Sequence, residues 1–250
     1  MGSRVLATAR TFVIVPIFFV YSLILATFVI IVALFDPAAP VIDRTVRHWS
    51  GLFLRIPPCS VTAEGLEHVD PTRRYVVASN HLSTFDIPLL FRVLPVNGRF
   101  LAKKELYRIP IIGTAMKRIG IIKIDRQAGA SSRQAINEGV QLAAERGYSL
   151  LVFPEGTRST TGELLPFKKG AFRIAIDTGL PLLPVVLEGT DRISLRGGKV
   201  FYPGAAQVRI LPPIETADMT NKDDLNDLLR TVEKDMQETY REMRGADHQS

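Results

Sequence analysis

The sequence predicts an α/β fold in which helices cover a central mixed sheet, with a membrane-associated helical element at the N-terminus. Three observations support this prediction. Short segments rich in β-branched residues alternate with amphipathic segments along most of the chain, the connections between them are short, and a long apolar run precedes them all. Such alternation is typical of a sheet with helices packed on its faces.

The strand and helix candidates follow one another from residue 58 onward. The strand candidates are residues 60–63, 74–79, 99–103, 120–124, 149–153, 182–187 and 206–211. The helix candidates are residues 84–94, 110–119, 131–146, 168–178 and 222–243. We expect a membrane segment with an interfacial helix over residues 1–57, an α/β domain over 58–243 and a tail over 244–250.

The apolar run near the N-terminus is long enough to cross a bilayer. Residues 11–35 contain no formal charge, and as a helix they would reach about 37 Å, against a hydrocarbon core of about 30 Å. A secretory signal has a shorter apolar core and is followed by small residues, whereas Phe35–Asp36–Pro37 follow here. We therefore expect a retained membrane segment. Pro16 and Tyr21–Ser22 leave both a spanning and a re-entrant course open.

Residues 41–56 have the spacing of an amphipathic helix. Its apolar positions are Ile42, Val46, Trp49, Phe53 and Ile56. This face suits either a membrane interface or the core of the domain, and the spacing does not separate the two. Basic residues flank the apolar run on both sides, with a slight bias that favours a cytoplasmic body.

Charge and cysteine content exclude several classes of protein. The net charge of +6 suits anionic headgroups and phosphorylated substrates. No compact Lys/Arg run with interleaved aromatic residues is present, so we expect no nucleic-acid partner. Cys59 is the only cysteine, which excludes an internal disulfide. The four histidines show no metal-ligand spacing, so we expect no metal site.

The first candidate motif is VVASNHLSTFDIPLL, residues 76–90. His81 follows the end of a strand candidate, where α/β folds place their sites. Asp86 falls in the first turn of the next predicted helix, which would begin at Thr84 with Ser83 as its N-cap. A carboxylate on one imidazole nitrogen fixes the tautomer and leaves the other nitrogen as a base. A plain capping box of Ser83 and Asp86 is the alternative interpretation.

The second candidate motif is SLLVFPEGTRS, residues 149–159. Gly156 permits a tight turn, Thr157 offers a hydroxyl, and Arg158 offers a planar fork that can bind a phosphate through two hydrogen bonds. Glu155 could orient Arg158 or bind an acceptor hydroxyl. A strand-end turn with a surface Glu–Arg pair is the alternative. Lys104 and Arg126, which follow other strands, are further candidates for phosphate binding.

Together these segments resemble the glycerolipid acyltransferases, especially the 1-acylglycerol-3-phosphate acyltransferases. Asn80–Asp86 (NHLSTFD) is similar to the first block of that family. Lys104–Leu106 with Pro110 and Gly113 is similar to the second, Phe153–Ser159 (FPEGTRS) to the third, and LPLLPVVLEG at 180–189 to the fourth. The resemblance covers roughly residues 75–190, and the order and spacing of the blocks also fit. The N-terminal membrane element is typical of bacterial members of the family, so the resemblance implies a place at a bacterial inner membrane.

The resemblance implies that His81 is a general base oriented by Asp86. The sn-2 hydroxyl of a lysophospholipid acceptor would attack an acyl thioester, from acyl-CoA or acyl carrier protein, with no cofactor beyond this co-substrate. Glu155, Gly156, Thr157 and Arg158 would hold the glycerol phosphate, helped by Lys104 and Arg126. A lysolipid or thioester hydrolase, another acceptor headgroup and a catalytically silent membrane-binding protein are the alternatives.

Overall fold

The computed structural model describes residues 2–124, 139–141, 143, 145–159 and 162–247. Arg126 and most of the helix predicted at 131–146 lie outside the described residues. The helices are α1 Gly2–Phe35, α2 Pro40–Phe53, α3 Asp86–Val93, α4 Ile112–Arg118, α5 Gly170–Thr178, α6 Thr190–Ile193 and α7 Lys222–Asp247. The strands are β1 Cys59–Glu64, β2 Val76–Ser79, β3 Gly98–Lys103, β4 Ile122–Ile124, β5 Ser149–Val152, β6 Leu182–Glu188 and β7 Gly204–Ile210.

The described strands form one mixed sheet with the order β1-β7-β6-β2-β5-β3-β4. The five strands from β6 to β4 run parallel to one another, β7 pairs antiparallel with β6, and β1 pairs parallel with β7. The predicted mixed sheet is therefore confirmed, and each predicted strand is present. β2 and β6 are buried at every position, which explains their continuous apolar sequences, because central parallel strands are covered on both faces.

Two apolar layers cover the sheet. On one face, Val76 and Ala78 of β2 pack with residues of α5 and α7. On the other face, Val77 packs with α3 and with the end of α2. The alternation along β2 follows from the two-residue period of a strand. The helices α3 and α7 therefore lie on opposite sides of the sheet.

The N-terminal helix α1 lies along the α/β domain over most of its length. It continues through Pro16 and ends at Phe35. Ala7, Thr11, Val29 and Ala33 are buried, and the last two belong to an apolar cluster with α2 and α4. Because buried positions occur near both ends, one face of α1 is fixed to the domain along the helix.

The remaining surface of α1 is apolar and exposed. By hydropathy and length, α1 is the one described helix that could cross a membrane. Its exposed large apolar side chains are Val5, Leu6, Phe12, Val13, Ile17, Phe19, Val20, Ile24, Phe28, Ile31, Leu34 and Phe35. Such a continuous apolar surface is costly in water and indicates contact with lipid or another apolar phase.

The helix α2 uses its apolar face to pack on the protein. Ile42 is fully buried, and Phe53 contacts the Phe85 ring with centroids 4.8 Å apart. Trp49 lies against α1 and donates a hydrogen bond of 2.9 Å to the Ser22 hydroxyl. Of the two interpretations left open by the spacing, core packing therefore accounts for this face.

Candidate active site

The topology brings the two sequence motifs to one edge of the sheet. β2 lies between β5 and β6, and the three strands run parallel, so their carboxyl ends meet. His81 follows β2, Glu155 follows β5 and Thr190 follows β6. In open α/β sheets this edge is where sites form.

His81 and Asp86 form a close pair. The Nδ1 atom of His81 lies 2.7 Å from Asp86 Oδ2. The histidine side chain is 15% exposed, and the carboxylate is fully buried. Because Nδ1 is occupied by the carboxylate, Nε2 is the ring nitrogen left for a substrate. This pair has the geometry of a base with an orienting carboxylate.

The carboxylate of Asp86 is held by further donors. Its Oδ2 accepts backbone N–H groups of Leu82 at 2.7 Å and Ser83 at 2.8 Å. Its Oδ1 accepts the hydroxyl of Thr190 at 2.6 Å. Together these hydrogen bonds fix the orientation of the carboxylate toward His81. A buried carboxylate with four donors is well compensated for its burial.

The start of α3 differs from the prediction. The helix begins at Asp86 with Phe85 as its N-cap, which makes no side-chain cap, so the predicted start at Thr84 is two residues too early. The Ser83 hydroxyl nevertheless accepts the N–H of Phe85 at 3.3 Å, which is a contact of the kind that a capping serine makes. The Ser83 hydroxyl donates to the carbonyl of Ser194 at 3.3 Å. The bond from Ser83 N–H to Asp86 is one half of a capping box. The same carboxylate thus orders the loop and the histidine, because its two oxygens can accept several donors.

The ring of Phe153 supports the imidazole of His81. The two ring centroids are 4.0 Å apart and the rings are nearly parallel, with an angle of 16° between them. Phe153 belongs to the second motif, but sequence reasoning did not assign it this contact. The stacked ring restricts rotation of the imidazole about its side-chain bonds, so Nε2 keeps a fixed direction.

Glu155 joins the two motifs from beneath the site. One carboxylate oxygen accepts the backbone N–H of His81 at 2.7 Å, and the other accepts that of Leu165 at 2.9 Å. Glu155 is 2% exposed. Burial raises its pKa to about 7, although the two backbone hydrogen bonds oppose the shift. Both oxygens are therefore engaged with the protein, which differs from the expected contact with a substrate hydroxyl or with Arg158.

The turn after Glu155 presents polar groups toward solvent. Gly156 has a φ of 71°, a left-handed backbone conformation that favours glycine; the nearest atom to a Cβ there would be the flexible end of the Lys168 side chain, at 2.8 Å. Thr157 is exposed and Arg158 is half-buried. The carbonyl of Arg158 accepts a bond of 2.6 Å from Arg196. Its guanidinium group makes no hydrogen bond or ion pair with the described residues.

The remaining two residues predicted to bind phosphate are Lys104 and Arg126. Lys104 is half-buried and begins a 3-10 turn directly after β3. β3 is the parallel neighbour of β5, so Lys104 lies at the same edge of the sheet as His81. Arg126 lies outside the described residues.

Two buried polar residues of the site were not found by sequence reasoning. Asn80 exchanges two hydrogen bonds with the backbone of Leu187, at 2.9 and 2.7 Å, and so fixes the end of β2 to β6. Thr190 follows Gly189, whose φ of 85° allows the chain to turn toward Asp86. For Thr190, the only signal in the sequence was the dipeptide Gly189–Thr190 directly after an apolar strand, and such a dipeptide is common at strand ends.

Metal chemistry has no geometric support in the part of the chain that the structure describes. No group of three or more His, Cys, Asp or Glu side chains there is arranged to hold a metal ion.

Comparison with known proteins assigns the chain to a family. The sequence profile of the Acyltransferase family matches residues 60–188, a segment that runs from β1 to the end of β6. The chain belongs to the acyltransferase family. The matched segment of this acyltransferase contains His81, Asp86 and Glu155, and the resemblance seen in the sequence is confirmed.

Two similar curated proteins are both described as 1-acyl-sn-glycerol-3-phosphate acyltransferases. The 1-acyl-sn-glycerol-3-phosphate acyltransferase alpha of Mus musculus is 37% identical over 184 residues, which are 73% of this chain and 64% of the relative. The 1-acyl-sn-glycerol-3-phosphate acyltransferase of Saccharomyces cerevisiae is 38% identical over 171 residues, or 68% and 56% of the two chains. The acyltransferase thus spans less than two thirds of the length of these curated relatives.

A solved structure matches nearly the whole fold. The crystal structure of the 1-acyl-sn-glycerophosphate (LPA) acyltransferase PlsC from Thermotoga maritima superposes with a TM-score of 0.80 at 26% sequence identity. The match covers 96% of this acyltransferase and 95% of that chain. The N-terminal helices are therefore included in the shared architecture.

Proposed function

We propose that this acyltransferase transfers an acyl chain from a thioester to the sn-2 hydroxyl of 1-acylglycerol-3-phosphate, which gives phosphatidate. The observation that supports this most directly is the His81–Asp86 pair, joined through Glu155 to a turn that presents Arg158, whose guanidinium has no partner among the described residues. A base and a phosphate-binding guanidinium thus lie on connected elements. The names of the relatives agree with this acceptor.

In the proposed mechanism, Nε2 of His81 takes the proton of the acceptor hydroxyl. The hydroxyl oxygen attacks the thioester carbonyl, the tetrahedral intermediate collapses, and the carbon–sulfur bond breaks. The leaving thiolate takes the proton back from the imidazolium, so the products are an ester and a free thiol. Asp86 stabilises the imidazolium while it exists. No protein nucleophile is required, since the acceptor supplies it.

The phosphate of the acceptor is assigned to the turn at residues 156–158. Arg158 is the main candidate, because a guanidinium can form two parallel hydrogen bonds with a phosphate. Lys104, at the same edge of the sheet, and Arg126 are further candidates. Glu155 is proposed as a positioning residue, since both of its oxygens bind backbone N–H groups.

Membrane attachment is proposed to occur through α1 at one leaflet. The buried face of α1 contacts the domain near both ends, so a perpendicular crossing would carry the domain into the hydrocarbon. An in-plane course leaves the exposed apolar face in lipid and the domain at the surface. We place the domain on the cytoplasmic side, where acyl-CoA or acyl carrier protein would supply the acyl group.

The test uses purified full-length protein with lysophosphatidate and a labelled acyl thioester. Phosphatidate, free fatty acid and thiol are measured for the wild type and for His81→Ala. We expect phosphatidate and thiol in equal amounts from the wild type, and a loss of at least a thousandfold in the variant. Free fatty acid without phosphatidate would instead indicate a hydrolase, and equal rates for the two proteins would remove His81 from the mechanism.

A further inference from the structure

A basic groove lies on the outer side of α2, separate from the candidate active site. It has a volume of about 480 Å³. Its basic lining residues are Arg44, Arg47, Arg55 and Arg92, with His48 beside them. None of them belongs to the candidate active site, and among the described residues that line the groove none is acidic.

The arginines of this basic groove have no counter-ion among the residues that the structure describes. The side chains of Arg44, Arg55 and Arg92 are exposed and form no ion pair or hydrogen bond with the described residues. Arg47 donates to the carbonyls of Leu94 and Val96, so its charge is oriented but not neutralised. Gathering like charges without a partner is unfavourable, and an anion in the groove would offset this repulsion.

The floor of the basic groove leaves room for an anion to approach the arginines closely. Gly51 lies between the arginines of α2 and Arg92 of α3, and a Cβ atom at Gly51 would be 3.4 Å from Arg92 Nε. The absence of a side chain there keeps the groove open. Planar guanidinium groups on two helices can then approach one phosphate from different directions.

An apolar groove continues from the basic one. It runs between α1 and α2, with a volume of about 500 Å³, and is lined by Ile24, Leu25, Phe28, Arg44, Thr45 and His48. Arg44 and His48 line both grooves. The shared edge therefore joins an unneutralised cationic surface to the apolar surface of α1, and an amphiphile with an anionic head matches both parts.

We propose that the two grooves together bind one anionic phospholipid outside the active site, with its phosphate among the arginines and an acyl chain along α1. A nucleotide or an acidic protein would match the charge but would leave the apolar groove empty. The inference rests on the proposed placement of α1 in one leaflet and does not depend on the acyl-transfer reaction. Its consequence is that the protein selects anionic lipid as its immediate neighbour.

Trp49 offers a local probe of this site. It is the only tryptophan, and it lines an internal cavity together with Leu25 and Thr45, which also line the apolar groove. Bromine atoms on acyl chains quench tryptophan only at short range. The full-length protein is placed in phosphatidylcholine–phosphatidylglycerol vesicles of fixed composition, with bromine on either the zwitterionic or the anionic lipid at equal mole fraction.

We expect at least twofold stronger quenching by the brominated anionic lipid. The triple variant Arg44→Gln, Arg55→Gln, Arg92→Gln should quench equally with both lipids. The control variant Lys222→Gln, Lys234→Gln, Arg241→Gln loses the same charge from α7, on the opposite side of the sheet, and should keep the preference. A preference that survives in the first variant, or is lost in both, would overturn the site.

Two further outcomes distinguish failure of the lipid site from failure of the membrane placement of α1. Equal quenching by both lipids in the wild type would leave the membrane placement standing and refute the lipid site, whereas no quenching by either would refute the placement itself. The experiment is repeated in saturating inorganic phosphate. A retained preference identifies the lipid as the ligand, and a lost one shows a general anion site and overturns the assignment to lipid.

Discussion

The hydroxyl of Thr190 donates a 2.6 Å hydrogen bond to the oxygen of Asp86 that does not face His81. Both residues are fully buried. Thr190 lies 104 residues after Asp86 in the sequence and reaches it only because β6 and β2 are neighbours. It therefore belongs to the support of the proposed base, although it does not touch the imidazole.

Removing this hydroxyl should slow the proposed reaction. Thr190→Val keeps the shape but leaves Asp86 Oδ1 without its donor, at a cost of about 1–3 kcal/mol for a buried group. We expect kcat to fall about tenfold or more while the KM for acceptor stays within twofold. Thr190→Ser should restore most of kcat, because it keeps the donor. A serine variant as slow as the valine variant would mean that packing of the methyl group, and not the hydrogen bond, matters.

Glu155 should make stability depend on pH. Its pKa is raised from 4.5 to about 7 in the folded protein, so the unfolded chain releases the proton first. The stabilisation is present below pH 4.5 and is lost as the pH rises through about 7, by about 3 kcal/mol for this shift. The advantage in Tm of the wild type over Glu155→Gln, measured in non-ionic detergent, should therefore be larger near pH 5 than near pH 8.

Glu67→Gln is the matched control for this effect. Glu67 is exposed and has no hydrogen bond with the described residues, so its variant should follow the wild type at every pH. Parallel curves of Tm against pH for the wild type and Glu155→Gln would contradict the assignment of the titration to Glu155.

Arg158 should determine binding of the acceptor phosphate. Arg158→Lys keeps the charge but loses the planar fork, so we expect the KM for lysophosphatidate to rise about tenfold with a smaller change in kcat. Arg241→Lys, on the exposed surface of α7, is the control and should leave KM unchanged. If Arg158→Lys also leaves KM unchanged, the phosphate is bound elsewhere.

The exposed face of α1 should determine membrane binding. Phe12 and Ile17 are 61% and 65% exposed, and burying two such side chains in lipid is worth about 3 kcal/mol or more. The double variant Phe12→Gln, Ile17→Gln should reduce sedimentation with vesicles at least tenfold. Point changes are preferable to a deletion, because α1 also contributes Val29 and Ala33 to the internal cluster.

The control for this prediction makes the same kind of change, from an apolar residue to glutamine, at two positions outside α1. Leu66 and Leu195 are exposed apolar residues of the α/β domain, and Leu66→Gln with Leu195→Gln should leave vesicle binding unchanged. Equal losses in the two double variants would show that the effect is not specific to α1.

The sequence alone determined the fold class, the strands and the pair at the centre of the site. Each buried strand is a short run of apolar residues. Such a run is a property of the local sequence, so it can be recognised without the rest of the chain. His81 and Asp86 are also close in sequence, and a single loop and helix start bring them together. The match of several short segments in order then indicated the family.

Only the tertiary structure decided which distant residues meet. Glu155 and Thr190 contact the histidine motif because β5 and β6 flank β2, and strand order depends on the packing of the whole domain. The same holds for the course of α1, whose hydropathy fits a spanning helix but whose buried face lies on the domain. Local sequence specifies which surfaces are apolar, whereas long-range packing selects the surfaces that cover them.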